Sequence, residues 1–236
     1  MSDPRVIVLT GGTGGLGTAV VKRLAGRDYR FAVTYLVPEE ARRFEKEVGV
    51  DEERLMLGRI DATNGSEIAG FFQQIVERFG AVHVVCSLVG GWAGGRDVEE
   101  TDDVRFDRMI DVNLRSAFAT VRAAVPHLKK TGWGRILLVG SRAAVEAPAG
   151  QAAFNVAKAG VAVLGMTVAQ ELEGTGVTAN VIVPSVIDTP ATRKALPFAD
   201  YIDWPTPDEI AAVIDFILSD DSAVISGALI PVYGRT

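Results

Sequence analysis

Arg5-Val-Ile-Val-Leu-Thr-Gly-Gly-Thr-Gly-Gly-Leu-Gly17 is the stretch on which the fold turns. Its first six residues, Arg5 to Thr10, are a short β-branched apolar run of the kind buried on both faces of a parallel sheet. Thr18 to Gly26 then reads as a helix, so a glycine-rich turn joins strand to helix. Gly12, Gly14 and Gly17 satisfy the spacing G-x-G-x-x-G. Glycines there let the turn bend tightly and let an anion approach the backbone, and the helix N-terminus favours negative charge. A flexible connector would show the same glycines, but the flanking strand and helix favour a pyrophosphate cradle formed by Thr10, Gly11, Gly12, Thr13, Gly14, Gly15, Leu16 and Gly17.

Beyond the cradle, apolar strands and amphipathic helices alternate. Strands are expected over Arg30–Leu36, Arg54–Ile60, Ala81–Val89, Gly134–Gly140, Val177–Pro184 and Ala228–Tyr233. Helices are expected over Pro38–Gly49, Glu67–Phe79, Thr101–Thr131, Gln151–Glu173 and Pro207–Leu218. This alternation specifies an α/β, Rossmann-type, doubly wound parallel sheet of about seven strands with helices on both faces, one domain over residues 1–236. Such sheets bind ligands at the carboxyl ends of their strands.

The formal charge of −6 and the sequence pI near 5.1 argue against a nucleic-acid partner, which would need a basic face. A single cysteine, Cys86, cannot form an internal disulfide. The start Met-Ser-Asp-Pro leads directly into a strand without a leader pattern, and no apolar run is read as a membrane span. A cytoplasmic enzyme acting on a small molecule is expected, with no membrane partner, no nucleic acid and no metal ligand assigned. The Ala- and Val-rich helix Gln151–Glu173 suggests packing against a second subunit, as a homodimer or homotetramer.

The second strand ends at Tyr35-Leu36-Val37, which offers neither the carboxylate that binds a ribose 2′-hydroxyl nor the arginine that binds a 2′-phosphate. The cofactor is therefore NAD(H) or NADP(H). The lean is to NAD(H), because no cation is placed there. Glu39 and Glu40 read as acids in the first turn of the helix after Pro38.

Five further segments strengthen this reading. Gly140-Ser141 is followed by Phe154 and Lys158, which share a helix face at i and i+4. Asn113 lies inside the long helical region Thr101–Thr131. Asp61-Ala62 follows the third strand, where Asp61 can instead act as a helix-capping residue, as can Asn64 or Ser66. Gly90 closes the fourth strand. Pro184-Ser-Val-Ile-Asp-Thr189 closes the sixth. Together with Thr10-Gly11-x-x-x-Gly15-x-Gly17, the set resembles the short-chain dehydrogenase/reductase family. The resemblance implies that Ser141, Asn113 and Lys158 serve catalysis and that Lys158 also holds the nicotinamide ribose. It further implies that Tyr35, Asp61, Ala62, Gly90, Pro184, Ile187 and Thr189 border the cofactor. The loop Gly90-Gly-Trp-Ala-Gly-Gly95 and the segment Asp188–Trp204 resemble dihydropteridine reductases, and mark Trp92, Arg193 and Trp204 in a substrate lid over about 188–206.

The family's tyrosine position is Phe154. A phenol can supply the proton that follows hydride transfer to a ketone, and a phenyl ring cannot. Three functions follow: reduction of a pterin-like or quinonoid heterocycle that needs no phenolic proton, catalytically silent dinucleotide binding, or a non-redox reaction using Ser141 and Lys158.

Overall fold

The computed structural model describes residues 4–235, so the reading of Met1 to Asp3 as a start without a leader lies outside the described residues. The described residues form a seven-stranded sheet, with β1 (Arg5–Thr10), β2 (Tyr29–Tyr35), β3 (Leu55–Arg59), β4 (Val84–Ser87), β5 (Gly134–Val139), β6 (Val177–Pro184) and β7 (Leu229–Val232). Their order is β3-β2-β1-β4-β5-β6-β7, parallel at every pairing. The chain reverses its direction of winding between β1 and β4, which places the ligand crevice at their carboxyl ends.

Both faces of the sheet are covered. On one face, α1 (Gly15–Leu24), α2 (Pro38–Val48) and α9 (Pro207–Ile217) bury Val20, Phe44 and Ile214 against Ile7, Phe31 and Cys86. On the other, α3 (Gly65–Phe79), α5 (Ser116–Thr131) and α7 (Ala152–Glu171) bury Phe72, Val121 and Val161 against Val8, Val85 and Leu138. The central strands are therefore apolar on both sides, as their continuous hydrophobic runs require.

Several boundaries differ from the sequence expectation. α1 begins at Gly15 rather than Thr18, so the second half of the glycine turn is itself the first helical turn. β4 contracts from the expected Ala81–Val89 to Val84–Ser87. Its ends continue as isolated hydrogen bonds, His83 N to Val6 O and Arg135 N to His83 O on one side, Leu88 N to Thr10 O on the other. The helical region expected over Thr101–Thr131 is α4 (Asp103–Met109), a π-helical segment Ile110–Arg115, and α5. A one-turn helix, α6 (Ala143–Glu146), follows β5, and the lid contains a short helix, α8 (Pro190–Ala195).

By length and composition alone α7 is apolar enough to cross a membrane, a 20-residue helix containing a window of mean hydropathy 1.5, because Ala and Val outweigh its few polar residues. In the fold it lies on the sheet, carries the buried Lys158 and packs against β6 and the π-helical segment.

Candidate active site

The cradle is built as its glycines require. A Cβ at Gly17 would lie 2.2 Å from the Gly12 carbonyl oxygen, and one at Gly11, whose φ is +67°, would lie 2.7 Å from Val89 Cγ2. Gly11 N donates to Thr34 Oγ1 at 2.9 Å, which ties the turn to β2. Gly14 is the N-cap of α1, no side chain caps it, and the first turn holds no acid. A Cβ at Gly14 would meet nothing nearer than 3.7 Å. Tight packing on one side and a bare, uncapped helix start on the other fit the pyrophosphate of a dinucleotide. Thr10, Thr13 and Leu16 are buried beneath this surface, and Thr10 Oγ1 accepts from Thr120 Oγ1 at 3.4 Å.

Across the crevice, the sixth strand's loop reaches the same place. Thr189 Cγ2 would stand 3.2 Å from a Cβ at Gly15, so Thr189 borders the start of α1. Pro184 is buried at the end of β6 and its carbonyl accepts from Arg142 N, while Ile187 packs on the α1/α9 side of the core. Tyr35 ends β2 opposite Arg59. Asp61 turns back on its own chain, accepting from Thr63 N and Thr63 Oγ1. The N-cap of α3 is Asn64, which accepts from Ser66 N and Glu67 N, so the capping role falls to Asn64 and not to Asp61 or Ser66. Ala62 is buried beside them.

At the centre, Phe154 and Lys158 share a face of α7. The Lys158 Nζ lies 5.9 Å from the centroid of the Phe154 ring and donates to Val139 O on β5 at 2.9 Å, two residues before Ser141. Burial pushes the Lys158 ammonium down to about 8. Phe154 packs with Met109 and Ala153, bordered by Ala93, Val112 and Ala143. The ring thus occupies an apolar slot. Ser141 is half-buried at the end of β5, where its Oγ accepts from Ala143 N at 3.2 Å.

Asn113 sits in the π-helical segment and is 1% exposed. Its side chain grips one loop residue from both ends: Oδ1 accepts from Gly91 N, and Nδ2 donates to Gly91 O and to Met109 O. A Cβ at Gly90 would fall 3.1 Å from Asn113 Oδ1 and 3.3 Å from Lys158 Nζ, so a larger residue there would crowd both groups by a few tenths of an ångström.

The sequence reading missed the residues that hold the glycine-tryptophan loop. Trp92 Nε1 donates to Gln151 Oε1 at 2.7 Å, and Arg105 donates to Gly94 O. Gln151 immediately precedes α7, the one hint that it faces this loop. The lid residues are bound to one another. Arg193 makes a two-pronged contact with Asp188 and lies over the Tyr201 ring, which in turn packs on Trp204. The Arg193 hydrogen bonds hold the Asp188 carboxyl below its usual range. Arg193 is therefore an internal strut of the lid in this structure.

A doubly wound sheet with an uncapped glycine turn at its switch point, and a buried lysine beside Gly90 and the end of β5, has the make-up of a dinucleotide-dependent oxidoreductase. Sequence comparison supplies the family: the short chain dehydrogenase model matches residues 5–199, and the chain belongs to that family, whose members are NAD(P)-dependent oxidoreductases. It is 32% identical over 239 residues to the 3-oxoacyl-[acyl-carrier-protein] reductase MabA of Mycobacterium tuberculosis, covering 98% of this chain and 92% of that protein. It is 35% identical over 198 residues to the D-beta-hydroxybutyrate dehydrogenase of Rhizobium meliloti, covering 82% and 75%. The crystal structure of gox2181 superposes with a TM-score of 0.90 at 26% identity, covering 98% and 95%. These full-length relatives are not dihydropteridine reductases. The resemblance to that group rests on the two short segments, Gly90–Gly95 and Asp188–Trp204, alone.

Proposed function

We propose that the chain uses a nicotinamide dinucleotide, NAD(H) in preference, to reduce small acceptors whose charge after hydride addition is delocalised, such as quinonoid or other conjugated heterocycles. Isolated ketones are poor substrates in this reading. The observation that carries it is Phe154, a ring without an ionisable atom in an apolar slot beside Lys158. A bound reduced nicotinamide supplies the hydride. Ser141 Oγ, which accepts from Ala143 N and keeps its own hydroxyl proton to give, donates to the acceptor's oxygen or nitrogen and orients it. Lys158 holds the nicotinamide ribose and keeps positive charge beneath the acceptor. Solvent protonates the product, a step tolerable only where the charge is spread over several atoms. Loss of a general acid costs roughly 10² to 10⁴ in rate when the product is a localised alkoxide. The lid over 188–206 and Trp92 close the pocket.

A second reading is favoured by the names of the relatives: a 3-oxoacyl or 3-hydroxyacyl compound occupies the same pocket and reacts despite Phe154. The two separate in one assay. Oxidation of NADH or NADPH is followed with a quinonoid dihydropterin, a simple quinone and a 3-oxoacyl thioester. Turnover of a conjugated acceptor at least about 10²-fold above the thioester supports the first reading. Comparable or faster thioester turnover supports the second. Absence of turnover on every acceptor with both nucleotides removes both readings and leaves a dinucleotide-binding protein without redox activity.

Assembly into a homodimer or homotetramer belongs to the same proposal. Phe118 on α5 and Val156, Val163 and Met166 on α7 are exposed large apolar residues, which a second copy would cover. Light scattering of the purified protein gives the subunit number.

A further inference from the structure

The end of β2 lacks the acid that discriminates between nicotinamide cofactors, yet a carboxylate reaches the same place from another element. Glu40, in the first turn of α2, is half-buried, and its Oε2 accepts a long hydrogen bond, 3.5 Å, from Thr13 Oγ1. Thr13 is 2% exposed and lies in the middle of the glycine turn. The side chain therefore leans from α2 across the gap between the glycine turn and the end of β2, where the adenosine ribose of a dinucleotide lies in doubly wound folds. Its backbone is fixed there, because Glu40 N donates to Val37 O and Pro38 sets the start of the helix.

We infer that Glu40 is the residue that selects NAD(H) over NADP(H) in this chain, replacing the acid missing at Tyr35. This rests on the nicotinamide-dependent function proposed above. The chemistry is direct: a carboxylate accepts hydrogen bonds from the ribose 2′- and 3′-hydroxyls, and repels a 2′-phosphate.

Two cations oppose it. Arg43 donates to Thr13 O at 3.5 Å, and Arg59 ends β3 beside Tyr35. Arg43 is more than half exposed and faces Glu47 at 3.7 Å, so water and a competing carboxylate screen it. Arg59 is exposed as well. Glu40 is the less solvated of the charges around Thr13, and its field is the least screened.

The test is calorimetric binding of NADH and NADPH to the full chain and to Glu40→Gln, which keeps the shape and removes the charge. A wild-type preference for NADH that falls by about tenfold or more in Glu40→Gln, with NADPH binding strengthened, supports the inference. An unchanged NADH to NADPH ratio overturns it while leaving the nucleotide-binding reading intact. A wild-type preference for NADPH that is lost in Arg43→Gln overturns it in favour of the arginine. Failure of the wild-type chain to bind either nucleotide overturns both this inference and the function on which it rests.

Discussion

The Phe154 ring and the Lys158 ammonium stand 5.9 Å apart on one face of α7, and nothing ionisable lies on the ring to exchange a proton with the amine. Lys158 is only 5% exposed, and it donates to a neutral carbonyl, Val139 O. The fold therefore holds a cation at some expense of stability.

This expense has a measurable pH signature. The amine releases its proton near 8 in the folded protein against 10.5 ordinarily, with burial as the cause. Between those values the unfolded chain binds more protons than the folded one, so this group makes stability rise with pH across roughly 8 to 10.5, and below 8 its penalty is fully present. At about 1.4 kcal/mol per pH unit, the penalty is on the order of 3 kcal/mol. Lys158→Met should be more stable than wild type at pH 7, and the gap should narrow as pH rises toward 10. Denaturant melts of both proteins at several pH values measure it; a gap independent of pH would show that Lys158 is not desolvated.

The cradle glycines should separate by position. In Gly17→Ala the added carbon meets backbone atoms of Gly12 at 2.2 to 2.6 Å, so the turn must move. Loss of stability of about 1 to 3 kcal/mol and weakening of nucleotide binding are expected together. In Gly14→Ala the carbon meets nothing nearer than 3.7 Å. The fold should keep its melting temperature while the methyl group hinders the anion, a split that thermal denaturation and binding calorimetry resolve.

Asn113 links the π-helical segment to the glycine-tryptophan loop through Gly91. Asn113→Ala should strand the part-buried N–H and carbonyl of Gly91 and leave the buried Met109 carbonyl without its side-chain donor, at a cost of about 1 to 3 kcal/mol. Amide exchange measured by mass spectrometry should accelerate in residues 90–95 more than in β5. Uniform acceleration would assign Asn113 to general stability instead.

Cys86 lies inside β4 with no exposed surface, and burial pushes its thiol up to about 12. An aromatic disulfide reagent should leave the native protein unmodified for hours at pH 8 and react fully after denaturation. Prompt native labelling would mean that β4 opens locally.

The sheet was legible because its strands are buried on both faces and so appear as unbroken apolar runs, and because the glycine turn sits between the first strand and helix. Boundaries were less legible. Gly15 and Leu16 already belong to α1, since a glycine that serves a turn and one that starts a helix look alike in sequence. Phe154, Lys158 and Ser141 were placed by spacing along one strand and one helix. Glu40 and Gln151 escaped, because their contacts to Thr13 and Trp92 join elements 27 and 59 residues apart. Arg193 was assigned to the lid, but its pairing with Asp188 depends on how the lid folds on itself. The apolar surroundings of Phe154 arise from Met109 and Val112 on a different helical segment, which no local pattern reveals.

The most direct measurement is the single-turnover rate of hydride transfer from bound nicotinamide to a 3-oxoacyl thioester in wild type and in Phe154→Tyr. Restoring the phenol beside Lys158 should raise that rate by about 10² or more, with little change in nucleotide affinity. An equal or lower rate in Phe154→Tyr, with nucleotide still bound, would contradict the claim that the missing hydroxyl at residue 154 limits this site.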